Sequence, residues 1–229
     1  MDLKRIKSEY KEERQLAKSA GFAINYGGTG FTIANNANIS KELGDKIYDD
    51  YFKSFSQLKS YFKKKQGEAL NKGYILINEI SKSKTFIPFF DDFQAAKREI
   101  NNFDWEEYRE EKAKQSDKFK NLLYPKVRNY FVTRGSIERD SLNYPVQGTA
   151  AEMTKLAAIN LFDYIVENDL LFKVLIVNMV HDEIVLESPP ELAEESQQQL
   201  KYHMEKAGNL FCKIIPIKAN PEITKVWKH

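Results

Sequence analysis

Apolar positions along the 229-residue chain change period several times, and each change predicts an element. Residues 8–26 read as a helix: Glu9, Glu12 and Glu13 crowd its first turn, where the helix dipole favours acids, and Gly27-Gly28 stop it. Gly21 in its interior costs about 1 kcal/mol relative to alanine. Residues 29–40 are polar and read as a loop. They lead through a Ser40 N-cap into helical segments whose Ile47, Tyr51, Phe52, Phe55 and Leu58 are expected in a core. Residues 73–78 and 84–88 resemble two strands of a hairpin bridged by the polar stretch 79–83. Residues 89–126 are highly charged, with Trp105, Tyr108 and Phe119 set among acids and bases, which predicts exposed helices. A helical period returns at 147–167 through Met153, Leu156, Ala157, Leu161 and Ile165. Strands follow at 173–180 and 183–187, with His181-Asp182 at the hairpin tip between them. A helix at 191–211 starts behind Pro189-Pro190, and a last strand is expected at 213–218. No internal repeat or low-complexity linker interrupts this order.

Composition narrows the class. A hydrophobic share of 42% over this length supports a buried core and one large or two small domains. Net charge is only +2 although 30% of residues are charged, so an anionic partner has to be met by a local basic patch. Cys212 is the only cysteine, which excludes an internal disulfide and suggests a reducing, intracellular setting. The start has no apolar run of signal-peptide type, and no stretch reaches the length of a membrane span. A soluble, cytoplasmic protein is expected.

Two places carry candidate chemistry. Arg14, Lys18, Phe22 and Tyr26 are spaced by four, along one slowly rotating helical face. Arg14 to Phe22 spans roughly 12 Å, about the reach of a nucleoside triphosphate. Two cations followed by two aromatics suit phosphates at one end and a sugar and base at the other. Spacing alone also fits, and favours, an ordinary solvated helix with Phe22 and Tyr26 in a core. Asp182, at a hairpin tip beside Glu183, can offer oxygen ligands to a divalent cation, but aspartate is also common in turns for structural reasons. His181 beside it is a weaker signal still.

The joint order of motifs decides between these readings. Arg14-Gln-Leu-Ala-Lys18-Ser-Ala-Gly-Phe22-Ala-Ile-Asn-Tyr26-Gly27 resembles motif B of the family A DNA polymerases, which include bacterial DNA polymerase I and phage replicative enzymes. Val180-His181-Asp182-Glu183 resembles their motif C. Between them, the segment from Arg139 through Asn143, Pro145 and Gln147 to Glu152 is similar to the family's minor-groove segment. The ending Trp227-Lys228-His229 is similar to its usual carboxy terminus. The resemblance implies that Arg14 and Lys18 hold a deoxynucleoside triphosphate, with Lys18 placed to protonate the departing pyrophosphate. It implies that Phe22 packs on the sugar and Tyr26 lies near the template base. Arg139, Asn143 and Gln147 would bond the primer-template, and His181 would meet the primer terminus. Asp182 would ligate magnesium, two ions being needed in the complete site, with Glu183 in support.

What is implied is an α+β fold: a helical fingers subdomain over residues 1–135, and over 136–229 a palm portion with part of an antiparallel sheet and packed helices. The family's motif A, an Asp-Tyr-Ser-like strand, should precede motif B, where only a few residues stand; Asp50-Tyr51 and Asp92-Phe93 lie downstream and are read as decoys. The thumb and any exonuclease are also missing. The chain is therefore expected to be a split polymerase, active only with a protein partner that supplies motif A and the thumb. The stretch 89–134 looks like a lineage-specific insertion. Two other readings stand beside this one. A phage-type single-subunit RNA polymerase typically has serine after His-Asp, where Glu183 stands here. A non-catalytic DNA-binding remnant would explain the missing motif A, but not the intact triphosphate-binding residues.

Overall fold

Where backbone donors find partners and apolar faces find cover sets the elements in the computed structural model, which describes residues 9–227. The chain divides into two compact units. One runs to Leu76 and takes in Ser83–Pro145; the other comprises Ile77–Lys82 and the chain from Val146 onward.

In the first unit α1 (Lys11–Asn25) carries Glu12 and Glu13 in its first turn. It ends where Gly27 turns into the left-handed region at φ 77°. Ser8, the expected helix start, lies outside the described residues. The loop expected over 29–40 is instead largely a helix, α2 (Gly30–Ala37). Its polar residues act as the cap, the Thr32 hydroxyl accepting from the Thr29 N–H at 3.1 Å. Its short apolar stripe, Ile33 and Ala34, is buried. Next comes α3 (Lys41–Ser54), capped by the Ser40 hydroxyl, which accepts from the Leu43 N–H at 3.2 Å. Glycine lets α2 and α3 approach closely: a Cβ on Gly30 would lie 2.6 Å from the Asp45 Cα, and one on Gly44 would lie 2.9 Å from the Ala34 Cβ.

The chain continues through α4 (Ser56–Lys72), closed by Gly73, into the expected antiparallel hairpin, whose strands β1 (Tyr74–Leu76) and β2 (Lys84–Phe86) are shorter than the ranges 73–78 and 84–88. Ala20, Ile24 and Ile33 form a core with Ile47, Tyr51 and Phe52 packed on it. Phe55, expected in that core, is instead 55% exposed.

The charged stretch is less exposed than its composition suggests. Within α5 (Phe90–Asn101), Phe93, Ala96 and Ile100 are buried. Phe93 joins Ala69, Ile75, Ile87 and Ile137 in a second core. This explains the Asp92-Phe93 look-alike as packing, while Asp50 in the other binds Lys53 at 3.1 Å. By contrast α6 (Trp105–Lys114) buries nothing, and its N-cap Asp104 accepts from the Glu106 and Glu107 N–H groups. Phe119 is buried in a π-helical turn, Phe119–Leu123, that leads into the 44-residue α7 (Tyr124–Glu167). Pro125 has no N–H to donate backward and its ring crowds the preceding turn, which a widened turn accommodates.

In the second unit Ala157, Leu161 and Ile165 of α7 form a core with Val174, Ile184, Leu200 and Ala207. Leu161 and Ile165 are almost completely buried, each contributing about 1.5–3 kcal/mol by the area it hides. They pack under the antiparallel hairpin β3 (Leu175–Val180) and β4 (Glu183–Glu187), and against α8 (Ala193–Phe211), which follows a 3₁₀ turn at Pro190–Leu192. The strand expected at 213–218 does not form. Its backbone is held by side chains of α8 instead: the Ile217 N–H donates to Asn209 Oδ1 at 2.8 Å and the Ala219 N–H to Glu205 Oε1 at 3.2 Å. Ile217 also lies against Gly208, where a Cβ would meet it at 2.7 Å. The architecture is α+β, mainly helical with two small antiparallel hairpins. No described helix is long and apolar enough to cross a membrane.

His203 sits in the face of α8 against Tyr164 and Tyr202, with neither ring nitrogen hydrogen-bonded among the described residues. Burial, with the Lys206 ammonium adding to it, lowers its pKa below the ordinary histidine value. The folded state therefore takes up a proton less readily than the unfolded one. Its contribution to stability is present above about pH 6.5 and is lost as pH falls below that. Chemical denaturation at about pH 7 and about pH 5 should show a smaller acid loss for His203→Phe than for the parent; equal losses would remove His203 as the source.

Candidate nucleotide cleft and carboxylate hairpin

The carboxy-terminal half of α1 forms one wall of an open cleft of about 550 Å³, within the size range of small-ligand sites. Lys18, Phe22 and Tyr26 line it, four residues apart, as their spacing predicts. The Lys18 ammonium stands 5.8 Å from the Phe22 ring centroid, and Phe22 and Tyr26 stack with centroids 6.2 Å apart at 21°. Phe22 is 51% exposed, so the plainer reading of a core aromatic fails there. Among the described residues no ion pair engages Lys18 or Arg14.

Arg139 of α7 lines the same cleft, which brings the motif B-like helix and the start of the minor-groove-like segment together. Gly27 permits this. A Cβ there would stand 3.3 Å from the Arg139 Cγ and 3.6 Å from both the Arg139 Cα and the Leu142 Cδ1, and φ is positive. Arg14 shares the helix and is exposed but does not line the cleft. The remaining wall was not singled out from sequence. Gln15 and Ser19 flank the aromatic stripe, while Thr29, Thr32 and Asn36 belong to the α2 region that reads as a loop. The capping pattern Thr29-x-x-Thr32 is the one local signal that marks them. A free ammonium, a stacked aromatic wall and several hydroxyl and amide groups can together hold a ligand that is anionic at one end and planar at the other.

Asn143, one turn after Arg139 on α7, is half-buried and its Oδ1 is buried without a hydrogen-bond partner among the described residues. Such an orphan acceptor is costly unless a donor is supplied. Gln147 is exposed and belongs to the second unit, as does the motif C-like hairpin.

In that hairpin Val180 pairs with Glu183, leaving His181-Asp182 as a two-residue turn. His181 takes φ 52°, and both turn residues are exposed. The turn is held from beneath by Thr154 of α7, whose buried hydroxyl lies 3.2 Å from the Ala150 carbonyl and 3.4 Å from that of His181. Glu183 accepts from the Trp227 indole N–H at 2.9 Å, so the chain's end reaches the tip; Lys228 and His229 lie outside the described residues. Asp182 can offer a cation one carboxylate and Glu183 a second. Among the described residues no three of His, Cys, Asp and Glu gather into a metal-binding group. The described residues therefore fit part of a magnesium site rather than a whole one.

Comparison with known proteins gives a consistent picture. The sequence profile of DNA polymerase family A matches residues 3–229. DNA polymerase I of Streptococcus pneumoniae serotype 4 is 30% identical over 215 residues, which cover 94% of this chain and 20% of the relative. DNA polymerase I of Lactococcus lactis subsp. cremoris is 29% identical with the same coverage, and that of Aquifex aeolicus 28% identical over 223 residues, 95% of this chain and 30% of the relative. The chain thus spans about a fifth to a third of the length of the curated relatives it matches. In fold it is similar to the POL domain of Pol1 from M. smegmatis, solved in complex with DNA primer-template and dNTP. The TM-score is 0.59 at 24% identity, over 85% of this chain and 27% of that one.

The two glycines of α1 and its end should respond oppositely to alanine. Gly27→Ala places a side chain at positive φ against Arg139, and should lower stability by about 1–2 kcal/mol. Gly21→Ala, in open space inside the helix, should raise it by up to about 1 kcal/mol. Urea unfolding of both variants measures the contrast.

Proposed function

The chain belongs to DNA polymerase family A, and from that membership we propose that it is the fingers-and-palm part of a DNA-directed DNA polymerase, with fingers over residues 1–135 and palm over 136–229. The observation that carries this reading is the convergence of Lys18, Phe22, Tyr26 and Arg139 on one cleft. The reaction joins a deoxynucleotide to a primer: the primer 3′-hydroxyl loses its proton to water, and its oxygen bonds to the α-phosphorus as the bond to the bridging oxygen breaks and pyrophosphate leaves. Lys18, with Arg14 further along α1, attracts the triphosphate, and Lys18 delivers a proton to the leaving pyrophosphate. Phe22 packs on the sugar and Tyr26 beside the template base. Arg139, Asn143 and Gln147 contact primer-template, reading minor-groove acceptors that recur in every base pair and so checking shape without reading sequence. His181 meets the primer-terminal nucleotide.

Asp182 would hold magnesium, with Glu183 in support. Magnesium bound there would supply positive charge that favours ionisation of the attacking hydroxyl and offsets charge on the triphosphate. Two such ions need more carboxylate than one hairpin tip supplies, so we assign the remaining ligand to a motif A segment outside these 229 residues, in this or a partner polypeptide. A specific observation favours a covering segment. Leu175, Val177 and Met179 of β3 are all 41–50% exposed, apolar surface on the strand that leads into the catalytic turn.

Primer extension tests the reading. The chain alone should be inactive with magnesium and gain activity when mixed with an amino-terminal polymerase segment. Lys18→Ala and Asp182→Ala should each reduce that activity by at least about 100-fold, the scale of losing a group that acts in the transition state; parental rates would refute the roles assigned here. Phe22→Tyr supplies a hydroxyl able to stand in for the nucleotide's 3′-hydroxyl. It should raise dideoxynucleotide incorporation relative to the deoxy form in a competition assay, whereas no change would move Phe22 away from the sugar.

A further inference from the structure

Thr154 stands in a row of α7 that packing reserves for apolar side chains. With Ala158, Leu161 and Ile165 it follows steps of four, three and four residues along one helical face, and all of them are buried. An aliphatic residue would complete that row. A buried hydroxyl costs stability unless it is bonded, and a threonine inside a helix can satisfy its donor on the carbonyl four residues back. Thr154 does this with Ala150 at 3.2 Å, but the same hydroxyl also faces the carbonyl of His181, 27 residues further along the chain, at 3.4 Å. One hydrogen is therefore shared between a helix and a turn.

The turn it meets needs support. His181 takes φ 52°, a conformation uncommon for residues with a side chain, and such angles persist where surrounding groups hold them. The His181 carbonyl belongs to the planar peptide that leads into Asp182, so a group that fixes that plane also fixes the Cα from which the Asp182 carboxylate projects. Among the described residues no hydrogen bond or ion pair engages this carboxylate, whereas Glu183 is tied to Trp227. The placement of Asp182 thus rests on its backbone. We infer that Thr154 is a positioning residue for Asp182, its hydroxyl setting where the carboxylate stands when magnesium is bound. The inference rests on the reading of Asp182 as a magnesium ligand, and it adds a residue that touches neither metal nor nucleotide.

Two variants of similar shape separate this role from packing. Thr154→Val keeps the branch at Cβ and removes the hydroxyl, whereas Thr154→Ser keeps the hydroxyl and loses a methyl. Packing ranks valine above serine; positioning ranks them the other way. Amide hydrogen exchange over residues 180–184 of the full chain, without magnesium, reads the turn directly. It should speed up about three- to tenfold in Thr154→Val, the ratio for one lost hydrogen bond, and stay parental in Thr154→Ser. Thermal melts confirm that both variants fold. In primer extension with an amino-terminal polymerase segment, Thr154→Val should raise the magnesium concentration at half-maximal rate by about three- to tenfold and leave the nucleotide KM unchanged, with Thr154→Ser close to the parent. Parental exchange in Thr154→Val overturns the inference. So does faster exchange with an unchanged magnesium dependence, or a magnesium dependence that follows loss of the methyl instead of the hydroxyl. Failure of the underlying reading shows in a different variant: Asp182→Ala would then extend primers at the parental rate, whatever Thr154→Val does to the exchange, and the inference would fall with it.

Discussion

The cleft depends on one missing side chain. Because Gly27 has no Cβ and accepts a left-handed backbone, the end of α1 can turn directly against α7 at Arg139 and Leu142. A side chain there would strain the turn at its positive φ, and its Cβ would crowd the Arg139 Cγ at 3.3 Å. Phe22 and Tyr26 then keep their stacked wall in the cleft, and Arg139 lines the same opening as Lys18. The chemistry of a charged, ring-shaped ligand thus rests on a backbone approach rather than on any strong bond. A similar economy governs α2 and α3, whose close packing relies on Gly30 and Gly44.

Much of this was legible in the chain because it is local. The helix before Gly27, both hairpins and the turn at His181-Asp182 follow from period and punctuation over a few residues. The range 183–187 expected for the second strand is the one that β4 takes. What escaped needs distant partners. Residues 213–218 have the apolar content of a strand, yet α8 takes over their hydrogen bonding through Asn209 and Glu205, and no local pattern announces that. The helix α2 escaped because its threonines serve as a cap and its buried stripe is only two residues wide. Arg14 fits the four-residue spacing, but each such step rotates about 40° around the helix. Three steps carry it away from the face that Tyr26 occupies.

The two units treat their reactive groups differently. In the first, an ammonium with no ion pair among the described residues and the exposed Phe22 ring face an open cleft, where a ligand can reach both. In the second, Asp182 is exposed while the turn that carries it is held by the buried hydroxyl of Thr154, and its neighbour Glu183 is engaged by an indole. Holding the backbone while leaving the carboxylate free keeps the geometry fixed without satisfying the charge. That arrangement suits a group meant to complete its coordination with something from outside.

Trp227 donates to Glu183 at 2.9 Å, and the sequence has only one other tryptophan, Trp105 in the first unit. An indole whose N–H is bonded to a carboxylate emits differently from one bonded to water. The hairpin tip therefore has a built-in optical probe: with Trp105 replaced, the emission of the remaining indole would report directly on whatever competes for the Glu183 oxygen.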